Sequence, residues 1–95
     1  MNIELVARDV VITEEIQGRV EQKLEKVLES TNKETPVRLL VENSHGRFIA
    51  QIKLHLRGKE IIAQAEEKNM VTAIDDVIDK AERQCRKRQE RLTKR

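Results

Sequence analysis

The sequence predicts an α+β fold of order βαβββα, a four-stranded mixed sheet with two helices on one face. Three observations predict it. Four segments alternate apolar and polar residues at period two, two longer segments carry apolar stripes at helical spacing, and clusters of turn-forming residues separate the last three strands.

Residues 2 to 8 place Ile3, Leu5 and Ala7 on one side, as a half-buried first strand requires. Thr13 then supplies a helix N-cap, with Glu14 and Glu15 in the first turn, where the backbone dipole favours negative charge. The helix is expected from about 14 to 30, with Ile16, Val20, Leu24, Val27 and Leu28 in a single apolar stripe that absorbs the cost of Gly18. The polar stretch from Ser30 to Pro36 reads as a connection.

Val37, Leu39 and Val41 face inward on a second strand. After the turn Asn43-Ser44-His45-Gly46, the third strand directs Phe48, Ala50, Ile52, Leu54 and Leu56 inward. A tight turn at Arg57-Gly58-Lys59-Glu60 leads to a fourth strand with Ile61, Ala63 and Ala65 inward. Asn69 caps the last helix, whose buried side is marked by Met70, Ile74, Val77, Ile78, Ala81, Cys85 and Leu92 and whose final turns project beyond the sheet. A parallel crossover through the first helix and two antiparallel hairpins put both helices on one face. Arg38, Lys53, His55 and Arg57 are left on the other.

The 95 residues are read as a single domain, 1–95, and since Phe48 is the only aromatic its core must be aliphatic. No apolar stretch approaches a membrane span, and Met1-Asn2-Ile3-Glu4 lacks the features of a signal peptide, so a cytoplasmic protein with no membrane partner is expected. Cys85 has no partner for an internal disulfide and reads as a buried structural thiol.

The formal net charge of +2 conceals an uneven distribution. From Lys80 to Arg95 eight basic residues face two acidic ones, a local net of +6, while the preceding 79 residues net −4. At about 100° per residue Lys80, Arg83, Lys87, Arg91 and Lys94 form one stripe opposite the apolar side, widened by Arg86, Arg88 and Arg95. On the first helix Arg19, Lys23 and Lys26 occupy one flank of the apolar stripe, with Glu21, Glu25 and Glu29 on the other. If the basic flank faces the last helix, the two form one cationic surface suited to a duplex or folded RNA. With neither Trp nor Tyr there is no stacking platform for single-stranded bases.

No catalytic constellation emerges. His45 lies in a turn and His55 on an outward strand face, neither has a second ligand at metal spacing, and no Gly-rich phosphate loop precedes a helix. Asp75, Asp76 and Asp79 read as dipole partners and solvated charges. No enzyme activity, metal or cofactor is expected.

The stretches Val11-Ile12-Thr13-Glu14; Val20, Lys23, Leu24 and Lys26; Ile61-Ile62-Ala63-Gln64-Ala65-Glu66; Asn69-Met70; Ala73-Ile74-Asp75; and Ile78-Asp79-Lys80 form a further pattern. They resemble the short ribosome hibernation-promoting factors, related to the ribosome-associated inhibitor called protein Y. Their order and spacing extend over essentially the whole chain. The resemblance implies a fold like that of double-stranded RNA-binding domains and binding to small-subunit ribosomal RNA between head and body. It also implies translation inhibition near the decoding centre, by blocking the messenger and transfer-RNA sites under stress or in stationary phase. Lys23, Lys26, Lys80, Arg83, Lys87 and Arg91 match basic positions of the family. Arg19 and Ser30 stand where aromatics are usual, so a role for Arg19 in RNA contact rests on its flank alone, and Asn69 replaces a common Asp while keeping the cap.

The length matches the short type, a monomer when free whose partner is the small subunit. Two other readings stand beside this one. The first is a general double-stranded RNA-binding module, although such modules carry lysines where this last helix begins Asn69-Met70-Val71-Thr72. The second is a protein-interaction domain using Leu40 and Ile49 on the open sheet face.

Overall fold

A computed structural model describes residues 3–29, 35–56 and 58–93, with side chains from 88 onward outside the described set. The elements are β1 (Ile3–Arg8), α1 (Glu14–Glu29), β2 (Val37–Ser44), β3 (Arg47–Leu56), β4 (Lys59–Glu67) and α2 (Met70–Thr93). The sheet order is β1-β2-β3-β4, with β1 parallel to β2 and the other two pairings antiparallel. This is the expected βαβββα mixed sheet.

Local chemistry accounts for the boundaries. Thr13 Oγ1 accepts from the backbone N–H of Ile16 at 3.2 Å, and Asn69 Oδ1 accepts from that of Thr72 at 3.2 Å, so both expected N-caps are made. The β2–β3 loop is tighter than the sequence suggested: Asn43 and Ser44 are already in β2, leaving only His45 and Gly46 to turn. Both have positive φ (54° and 82°), the pattern of a two-residue turn whose twist matches antiparallel strands. Lys59 and Glu60 likewise belong to β4, and Gly58 turns with φ 80°.

Val20, Leu24, Val27 and Leu28 of α1 and Ile74, Val77, Ile78, Ala81 and Cys85 of α2 bury against Val37, Leu39, Val41, Ile52 and Leu54. No polar or charged side chain is buried among the described residues. On β3 and β4 the inward pairs Ala50–Ala65 and Ile52–Ala63 keep the sheet surface low where α2 crosses it. Phe48 and Met70 are half-buried at the rim of this core. One inward residue departs from expectation. Ala7 lines a hollow between β1 and α1 with Ile3, Leu5 and Val20 but stays exposed, because it sits near the end of an edge strand.

The other edge is covered. Lys80 Nζ donates to the carbonyl of Gln64 and Gln84 Nε2 to that of Ile62, each at 3.0 Å. The fit is geometric: four helical residues rise about 6 Å and two strand residues about 6.6 Å, so an i, i+4 pair matches an i, i+2 pair of carbonyls. These bonds occupy acceptors that a bare edge strand would offer to another chain. They also fix direction, since α2 advances as β4 recedes. Because β1, β2 and β4 point the same way and α1 must return from the end of β1 to the start of β2, the two helices run side by side in one direction.

Candidate nucleic-acid interface

Arg19 and Asp75 are each the sixth residue of their helix, so the helices begin level. Arg19 grips Asp75 with two bonds, Nε to Oδ1 at 3.1 Å and Nη2 to Oδ2 at 2.8 Å. Lys23, one turn further along α1, reaches the same carboxylate with Nζ 3.2 Å from Oδ1. The basic flank of α1 therefore does face α2. Hydrogen bonding to Arg19 holds the Asp75 carboxyl below the usual carboxylate range against an opposing effect of burial, and the same bond raises the Arg19 guanidinium. The third cation of this flank, Lys26, is exposed with no hydrogen bond or ion pair among the described residues. It lines a shallow hollow on α1 together with Arg19, Gln22, Lys23, Glu25 and Glu29.

Along α2 the cations divide. Lys80 is engaged with the edge of β4, and Arg86 pairs with Glu82 at 2.7 Å in the favourable order of acid before base. Arg83 and Lys87, one turn apart, are exposed and meet no acceptor among the described residues. By the spacing that matches Lys80 to Gln64 and Gln84 to Ile62, residue 88 is level with Glu60. The rest of α2, to Thr93, runs past the start of β4 as the projecting arm that the sequence suggested. α2 has 24 residues against 16 for α1, so it also extends about 12 Å beyond its neighbour. The backbones at Arg91 and Leu92 lie on this arm and that at Arg88 beside the first residues of β4, while the side chains of all three, with Lys94 and Arg95 entirely, are outside the described residues, as are Ser30 and Arg57.

Two carboxylates differ from the sequence reading. Asp75 was expected to be a dipole partner or a solvated charge, yet it lies beyond the first turn and joins the helices. The neighbouring Asp76 carboxyl, with burial, raises the Glu67 carboxyl above its ordinary range while Arg47 and Lys80 oppose the shift. Cys85 is buried as expected, and burial pushes its thiol up, with Glu82 adding to the effect. His45 and His55 are exposed, and no group of three or more His, Cys, Asp or Glu able to hold a metal occurs among the described residues. No described helix is long and apolar enough to cross a membrane.

The periodic patterns identified the cations but not their partners. Arg19 and Asp75 are 56 residues apart, and nothing local links them. The one usable signal was the four-residue spacing of Arg19 and Lys23, which lets both meet a single acceptor on a neighbouring helix. Lys80 and Gln84 carry the same spacing, but their acceptors are backbone carbonyls that exist only because β4 is an edge.

Fold and site together define a small mixed-sheet domain whose helical layer carries an ion-paired cationic flank beside available cations on a projecting helix. Residues 3–93 match the family described as sigma 54 modulation protein / S30EA ribosomal protein, and the chain belongs to that family. It is 32% identical over 92 residues to a ribosome hibernation promoting factor of Klebsiella oxytoca, covering 97% of each chain. A Pseudomonas putida protein of the same name is 29% identical over 91 residues, covering 96% of this chain and 89% of that one. Among solved structures, the Thermus thermophilus protein Y N-terminal domain superposes with a TM-score of 0.82 at 27% identity, covering 92% of this chain and 98% of that domain. A ribosomal subunit interface protein from Coxiella burnetii gives the same TM-score at 23% identity, a likeness of fold.

Proposed function

We propose that this protein is a cytoplasmic ribosome hibernation factor that binds the small ribosomal subunit. It inhibits translation by steric occlusion of the messenger and transfer-RNA sites near the decoding centre, under stress or in stationary phase. The observation that carries this reading is the exposed pair Arg83 and Lys87 on α2, which meet no acceptor among the described residues, in a chain whose relatives of nearly equal length are named ribosome hibernation promoting factors. Phosphate oxygens are strong acceptors at high density, and cations that face no internal carboxylate neutralise them while releasing condensed counterions. Lys26 extends this surface onto α1, Arg86 joins it on α2 once it leaves Glu82, and the sequence supplies Arg88, Arg91 and Lys94 further along the chain. The work is binding and blocking, with no covalent step.

Co-sedimentation with vacant small subunits across a salt series tests the reading. With about five to eight phosphates engaged, affinity falls steeply as salt rises, by roughly 0.7 to 0.9 log units per phosphate for each tenfold increase. Binding that is indifferent to salt contradicts the mechanism. A plain RNA duplex as competitor separates this function from a general double-stranded RNA-binding module, which the duplex would displace efficiently.

A further inference from the structure

We propose that Asp75 is a specificity-determining positioning residue, which by clamping Arg19 and Lys23 to α2 makes the cationic layer select one fixed arrangement of phosphates over an arbitrary RNA duplex. The inference rests on the ribosome-binding reading and deepens it.

The geometry carries it. Two cations of α1 converge on one carboxylate of α2, at 3.1 and 2.8 Å from Arg19 and 3.2 Å from Lys23. Burial of Val20, Leu24, Val27 and Leu28 holds α1 on the sheet and limits it to small rolls about its axis, within which apolar contact sets no direction for the outward cations. A guanidinium fork on a carboxylate is directional. Even a roll of about 10° at a side-chain radius of about 6 Å displaces an α1 ammonium by about 1 Å, enough to weaken a hydrogen bond to a fixed phosphate. Lys26, which has no partner among the described residues, is the cation placed in this way.

Charge acts in the same sense. Arg19, Lys23 and Asp75 together carry one net positive charge in place of two, and the carboxylate keeps two long, adaptable cations from following any polyanion that approaches. Asp75 is 24% and Lys23 33% exposed, so their pairing is screened less than one at the open surface, while Arg19, at 51%, contributes chiefly through the geometry of its two bonds.

The two effects predict opposite signs for one substitution. Asp75→Asn removes a negative charge and raises the net charge by one, so a mere electrostatic role would tighten binding to every RNA alike. The positioning role predicts instead that binding to a plain duplex of about twenty base pairs tightens about threefold while binding to vacant small subunits weakens about fivefold. Selectivity then drops by more than tenfold. The double variant Arg19→Asp/Asp75→Arg, whose net charge equals that of the wild type, restores selectivity to within about threefold, and thermal melting of each variant monitors the fold.

Equal tightening on both RNAs, an unchanged ratio, or a folded swap variant that stays unselective overturns the proposal. If Asp75→Asn does not fold, the swap variant alone decides it. A wild-type chain that prefers subunits while Asp75→Asn prefers them equally contradicts only this proposal. A wild-type chain with no such preference contradicts the functional reading beneath it as well.

Discussion

On α1, Arg19 and Lys23 turn toward a neighbouring helix and share one carboxylate, whereas on α2, Arg83 and Lys87 face outward and meet no acceptor among the described residues. In the sequence both sets look alike, basic residues at helical spacing beside an apolar stripe. Their availability differs because of what the fold brings opposite them. A cation that already satisfies an internal acceptor must break that contact before it can neutralise a phosphate, so a count of basic residues overstates the binding surface. Lys80 shows the same within α2 alone: it shares a stripe with Arg83 and Lys87 but donates to the Gln64 carbonyl.

The largest expected effect separates what holds α1 from what orients it. Leu24→Ala removes a fully buried side chain and should cost about 2–5 kcal/mol in urea unfolding, while Arg19→Ala shifts the midpoint far less. Equal losses would mean that the ion pairs anchor the helix. Next, Arg83→Glu with Lys87→Glu should weaken small-subunit binding about a hundredfold, near 2.7 kcal/mol, and leave the melting temperature almost unchanged. A large loss of folding would place these two among the structural cations.

Lys80→Met with Gln84→Leu keeps the aliphatic stems and deletes both donors to β4. The expected cost is about 1–2 kcal/mol of stability, with self-association through the uncovered edge visible by light scattering. Subunit affinity should fall much less than in the Arg83 and Lys87 variant, and an equal fall would erase the distinction between engaged and available cations.

The smallest effects concern pH. Asp75 has a lowered folded-state pKa, so its stabilisation is present above the unfolded carboxyl range near pH 4 and disappears as pH falls through the folded value. Asp75→Asn should flatten this acid limb. Glu67 has a raised pKa, so its charge is unfavourable at neutral pH. Glu67→Gln should raise the melting temperature slightly at pH 7, with the gain vanishing below about pH 4.

What the sequence revealed was local. The caps at Thr13 and Asn69, the stripes containing Leu24 and Ile74, and the alternation of Val37, Leu39 and Val41 follow from periods of 3.6 and 2.0 that neighbouring residues display by themselves. The boundaries of the turns slipped by a residue or two, because Asn43, Ser44, Lys59 and Glu60 suit a loop by type but complete strand ladders with Phe48, Arg47, Leu56 and His55. The role of Asp75 was not legible. It depends on the helices lying side by side and beginning level, a consequence of strand order and direction that no window of sequence contains. The same holds for the bonds to β4, since a carbonyl is free only on a strand that nothing else pairs.

The most direct measurement is a density map of the protein bound to a vacant small ribosomal subunit. The account predicts α2 seated between head and body, with Arg83 and Lys87 within hydrogen-bond distance of rRNA phosphate oxygens and the Arg19–Asp75 pair intact. A map with the open sheet face against the RNA, Arg83 and Lys87 in solvent and the messenger path unobstructed would contradict it.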